Sequence, residues 1–99
     1  ALSTTSWNAW RAYDRGHEAL TRWELDAAAS AFREATRLDP EYAHAHLWLA
    51  QVLAWAPEPP AAAWQAAATR SAALARRLAP REAIMARALA ALAEGRFAE

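Results

Sequence analysis

Cysteine and lysine are both absent from this chain, and glycine, valine, isoleucine and methionine are nearly so. Without cysteine there is no disulfide, no thiolate nucleophile and no Cys-type zinc site. That absence leaves the cellular compartment open. With two glycines, one Val and one Ile, strand-forming residues are almost missing, and the intrinsic preference is helical nearly everywhere. The longest apolar run, Leu47 to Ala56, is interrupted at Gln51 and falls well short of the ~20 residues that a bilayer span needs. No basic amino terminus leads into an apolar stretch, so no secretory signal is read. A Gly-rich phosphate loop, a G-x-S-x-G elbow and an H-E-x-x-H pair are all missing. No enzyme activity and no cofactor are therefore expected of this segment. Net charge is missing too: eleven arginines balance eleven carboxylates, so nothing global draws the chain to nucleic acid or to an anionic membrane.

What remains is 99 residues, enough for one small domain, of which 31 are alanine and six tryptophan. Alanine buries little surface, so the tryptophans must supply much of the large apolar area. An all-Arg basic set with this alanine excess fits the codon bias of a GC-rich, bacterial genome. A cytoplasmic location is the expectation, with an extracytoplasmic one left open. The chain opens on Ala1 and closes on Gly95-Arg96-Phe97-Ala98-Glu99, where an apolar pattern is just beginning, so it reads as an excerpt from a longer protein.

Breaks fall at Asp39-Pro40, at Pro57-Glu58-Pro59-Pro60, at Ala79-Pro80 and at Gly95. A softer one falls near Trp23-Glu24-Leu25, where Glu24 or Asp26 would cap a new helix. Helices are predicted at about 5–22, 26–38, 42–55, 60–78 and 81–94, with a sixth starting at the end. Arg37-Leu38-Asp39-Pro40 returns as Arg77-Leu78-Ala79-Pro80, an offset of 40, which also superposes Ala28 on Ala68, Ala35 on Ala75, and Leu49 on Leu89. Each Arg-Leu-x-Pro sits at the same place relative to a predicted helix end.

On these residues the chain resembles the tetratricopeptide repeat family, whose units of about 34 residues follow a W-x2-L-G-x2-Y…A-x3-F…P pattern. Gly16, Ala28, Phe32, Ala35 and Pro40 fall on the pattern's Gly, first Ala, Phe, second Ala and Pro. The first helix fits poorly, with Ala12, Arg15 and Ala19 at positions of large residues and Trp23 in place of the turn glycine. A second unit carries Leu49, Ala50, Leu53, Ala68, Ala75 and Pro80, with Ala72 replacing Phe and a longer turn at 55–60. A third carries Ala83, Leu89 and Ala90 and is cut off. The resemblance implies one domain over residues 1–99, with units at about 7–40, 41–80 and a truncated 81–99, built as an all-α, right-handed stack of antiparallel helical hairpins. Phe32, Ala28, Ala35, Leu38, Leu49, Leu53, Leu78 and Leu89 are the expected inter-helix core. The run from Thr4 also resembles repeat segments attached to bacterial kinases and transcriptional regulators.

In that family the first helix of each unit lines a concave groove, with contacts at its second, fifth and ninth positions. Carried over, these are Trp10, Tyr13 and His17, then His44, Leu47 and Gln51, then Ile84, Arg87 and Ala91. The implied function is protein interaction: an aromatic and imidazole-lined groove holding an extended peptide or a partner helix. The cationic clamp with which some members hold a terminal carboxylate does not survive, since Tyr13, His17, Trp48, Ile84 and Ala88 occupy its positions. The alternative is a small metal-binding or enzymatic domain using His17 and His44, with Asp14 as a third ligand. His44 and His46, two residues apart on a helix, point roughly 200° apart and cannot chelate together.

Charge is unevenly spread, minus three over residues 1–58 and plus three over 59–99. Asp14 and Glu18, flanked by Arg11, Arg15 and Arg22, read as a solvated, salt-bridged face. Arg70, Arg76, Arg77 and Arg81 gather near one helix end, which suits its dipole and falls short of a nucleic-acid surface. Helical repeats stack to bury their apolar faces, and about two and a third units leave the last helix uncovered. Ile84, Met85, Leu89 and Leu92 are thus expected to form a face that the chain's continuation or a second copy covers, with homo-oligomer formation as the outcome for the isolated chain.

Overall fold

The computed structural model describes residues 4–56 and 61–94. The proline cluster at 57–60 and the expected start of a sixth helix at 95–98 lie outside them. Among the described residues the chain is all-α: α1 (Trp7–Thr21), α2 (Leu25–Leu38), α3 (Ala43–Trp55), α4 (Ala61–Ala73) and α5 (Pro80–Ala93), with a 3-10 turn at Ala75–Arg77. No helix there is long and apolar enough to cross a membrane.

Local chemistry explains most of the boundaries. Ser6 caps α1, its hydroxyl accepting the Ala9 amide at 3.1 Å. The helix closes with amides of Trp23 and Glu24 donating to the carbonyls of Leu20 and Ala19, a paired closure that needs a left-handed residue. Trp23 supplies it at φ 56°, where glycine is the usual occupant. Glu24 stands at the cap of α2 as expected, but its carboxylate turns back to Arg22 at 3.2 Å and caps nothing. Pro80 opens α5 at the position where a missing amide costs least, and Glu82 accepts the Ala79 amide at 3.1 Å.

The fourth helix departs from its predicted span, ending at Ala73 rather than near 78. There the Leu74 amide divides between the carbonyls of Arg70 and Ser71, and the backbone tightens into the 3-10 turn. The tightening buries Leu74, Ala75 and Leu78, while Arg77 reaches Glu41 with an Nη2–Oε1 distance of 2.9 Å.

The packing follows from where small residues lie. Ala9, Ala12, Gly16 and Ala19 form the buried stripe of α1, set against Ala28, Phe32 and Ala35 of α2. Thr4, before α1, hydrogen-bonds to the Asp39 carboxylate just beyond α2, so the two helices run antiparallel. Gln65 near the start of α4 donates to the Ala93 carbonyl at the end of α5 at 2.9 Å, which makes that pair antiparallel as well. Between them, α3 is buried over most of its circumference, through Ala43, His44, Ala45, Leu47, Leu49, Ala50, Val52 and Leu53. All of the expected core residues are buried except Leu38, which packs half-buried at the core's edge.

Candidate functional site

Side chains of α1, α3 and α5 meet on one side of the molecule. Tyr13 and His17, one turn apart on α1, lie edge-on with ring centroids 4.6 Å apart. His17 also meets Trp48 of α3 at 4.9 Å and Phe32 of α2 at 5.3 Å, both close to perpendicular. Tyr13 adds Tyr42 at 5.1 Å and His44 at 6.3 Å. Edge-to-face geometry of this kind brings positive ring edges to negative ring faces. His44 Nε2 donates to Glu82 Oε1 at 3.1 Å, which joins α3 to the start of α5. One continuous surface of half-buried Tyr13, His17 and Trp48 results, floored by buried Phe32 and Tyr42.

Burial and charge act on these rings in the same direction. The Tyr13 hydroxyl is pushed far above the usual phenol range, first by burial and then by its neighbours Tyr42 and Glu82. Tyr42 is pushed up to about 12 by burial, with the carboxylates of Asp39 and Asp14 adding to it. Its hydroxyl is fully buried and has no hydrogen-bond partner among the described residues. Burial holds His17 below the ordinary imidazole value, against the opposing pull of Asp14. His17 is thus a neutral aromatic surface at pH 7.

The residues expected to line a groove are only partly brought together. Tyr13, His17 and His44 join the cluster, although His44 is 7% exposed and presents little surface. Trp10 is half-buried and stacks on the exposed Trp7, centroids 5.1 Å apart. Gln51 is half-buried further along α3. Leu47 is a correction: it is wholly buried in the core, and Trp48 faces His17 instead. The strip of α3 on this side thus runs through His44 and Trp48, four positions apart, and leaves Leu47 inside. The His44–Trp48 spacing, matching Tyr13–His17, was the available signal. On α5, Ile84 and Arg87 are exposed and Ala91 is half-buried.

The expected self-association face is narrower than the sequence suggested. Leu89 is buried and Met85 packs half-buried against the core, whereas Ile84 and Leu92 stand 66% and 47% exposed. The anticipated salt-bridged face around Asp14 and Glu18 is not formed: neither makes an ion pair among the described residues, and Arg22 pairs with Glu24. Arg11 and Arg15 line a separate depression of about 280 Å³ with Asn8, Glu34 and Leu38. His46 turns away from His44, its Nε2 donating to the Pro40 carbonyl at 2.8 Å. No group of three or more His, Asp or Glu side chains among the described residues could hold a metal ion. Tryptophans form a second surface feature that sequence reasoning passed over, with exposed Trp23 and Trp55 5.3 Å apart.

Compared with family models, with curated proteins and with solved structures, the chain matches none.

Proposed function

We propose that this segment is a protein-interaction module of tetratricopeptide type, a right-handed stack of helical hairpins whose α1–α3–α5 side holds a peptide or partner helix. The observation that carries this reading is the half-buried Tyr13–His17–Trp48 surface, continuous across two helices. Aromatic rings at an interface bring large contact area at low conformational cost, and they are enriched among residues that dominate binding energy. Support for the repeat architecture comes from the antiparallel α1–α2 and α4–α5 pairs and from Gly16 meeting Phe32 at the helix crossing. In the native setting the module would belong to a larger bacterial regulatory protein and act as its scaffold. A pull-down with the Tyr13→Ala, His17→Ala double variant tests the reading, with circular dichroism to confirm that the variant stays helical. Loss of captured partners from a folded variant is the expected result; unchanged recovery would sink it.

A further inference from the structure

The aromatic surface is bordered by carboxylates that no arginine pairs with among the described residues. Glu82 reaches it through His44 and accepts from the His44 ring and the Ala79 amide. Asp39, at the end where Tyr42 enters α3, accepts from the Thr4 hydroxyl and the Glu41 amide. Asp14, exposed beside Tyr13, makes no ion pair among the described residues. Arginines that do pair lie elsewhere, Arg22 with Glu24, Arg37 with Glu34 and Arg77 with Glu41. The only arginine that the groove register assigned to this side, Arg87, stands exposed on α5. The fields agree with the geometry, since Glu82 acts on Tyr13, and Asp14 and Asp39 act on Tyr42.

Resting on the interaction-module reading, we infer that the partner segment is a basic peptide, which seats an arginine or lysine against the Tyr13, His17 and Trp48 rings. Two attractions then act on one side chain. A cation over an aromatic face is drawn by the ring quadrupole, and three carboxylates on a partly dried surface favour the same charge. The carboxylates also repel an acidic tail or a phosphate-bearing partner, in keeping with the lost cationic clamp. Neutral His17 adds polarisable surface without opposing charge.

The test begins by selecting a random dodecapeptide phage library on the immobilised 99-residue chain, with the Tyr13→Ala, His17→Ala variant as counter-selection. Enriched sequences are expected to carry an excess of Arg or Lys. The best sequence is then synthesised twice, once with arginine and once with citrulline, which keeps the shape and removes the charge. Citrulline should weaken binding about tenfold by calorimetry, and exposed Asp14→Asn should weaken it about threefold and flatten its salt dependence. Groove-dependent peptides without basic enrichment, or equal affinity of the two syntheses, would refute the basic-peptide assignment and leave the module reading standing. If no selected peptide depends on Tyr13 and His17, the module reading fails and the inference falls with it.

Discussion

Gly16 sits inside a helix, where alanine would ordinarily be favoured by about 0.8–1.0 kcal/mol. The Gly16→Ala substitution is nevertheless expected to destabilise the protein. A Cβ there would lie 2.5, 2.7 and 2.8 Å from three atoms of the Phe32 ring, about 1 Å inside an ordinary carbon contact. The ring has no room to retreat: Phe32 is fully buried, with Tyr13 and His17 centred 5.6 and 5.3 Å away. Overpacking costs about 1–3 kcal/mol, and against a ring that cannot retreat the upper part of that range applies, about 2–3 kcal/mol, which less the helical gain leaves a net loss of about 1–2 kcal/mol. In a domain of this size each kcal/mol lowers the melting temperature by about 4–8 °C. Thermal and urea unfolding followed by helical circular dichroism at 222 nm would measure it. A cycle with Phe32→Leu isolates the clash, because shortening the ring should restore much of the Gly16→Ala loss and leave a coupling of about 1 kcal/mol. Wild-type stability in Gly16→Ala, with no coupling to position 32, would show that the α1–α2 crossing is looser than described.

The buried Tyr42 hydroxyl lacks a partner among the described residues, so Tyr42→Phe should raise the urea midpoint by an amount equivalent to about 1 kcal/mol; a clear loss would mean the hydroxyl is satisfied in solution. At position 23 both Trp23→Gly and Trp23→Ala remove the ring, but only glycine relieves the left-handed backbone, so the glycine variant should be the more stable by about 1 kcal/mol. Equal unfolding midpoints would place that residue outside the left-handed region. His17 and His46 are both held below the ordinary value of 6.5, chiefly by burial, so the unfolded chain binds protons first on acidification. Stability should be lost progressively as the pH falls through about 6.5, the ordinary value, and below it, and His17→Phe should flatten that slope in urea titrations. A slope unchanged by that variant would remove His17 as its source. Ile84 and Leu92 lie about two turns apart on α5 with Ala88 between them, a self-complementary line for an antiparallel copy. Sedimentation at micromolar concentration should show association that Ile84→Glu abolishes, and a monomeric wild type would count against it.

Much of the architecture was legible because it depends on short-range chemistry. Ser6, Pro40 and Pro80 act on the backbone within a turn of themselves, and helix starts accordingly fall within two residues of the predicted ones. Gly16 with Phe32 could be matched as a pair because a helix crossing leaves small and large residues at fixed spacing. The candidate site was half visible: Tyr13 and His17 share a face of a helix whose other face is a stripe of alanine and glycine. Trp48 entered only as a position of the lost clamp, and Glu82 was missed because its partner lies 38 positions away.

The sequence by itself determined that the chain is helical and where its helices begin. Tertiary structure alone decided the rotation of α3, the early end of α4 and the meeting of His44 with Glu82. For α3 the reason is that its apolar residues run round the whole circumference, so periodicity names no buried face. Only competition among neighbouring helices puts Leu47 inside and leaves Trp48 against His17. Local preference fixes a backbone's shape, whereas the rotation of a uniformly apolar helix is set by which of its sides packs with the fewest voids.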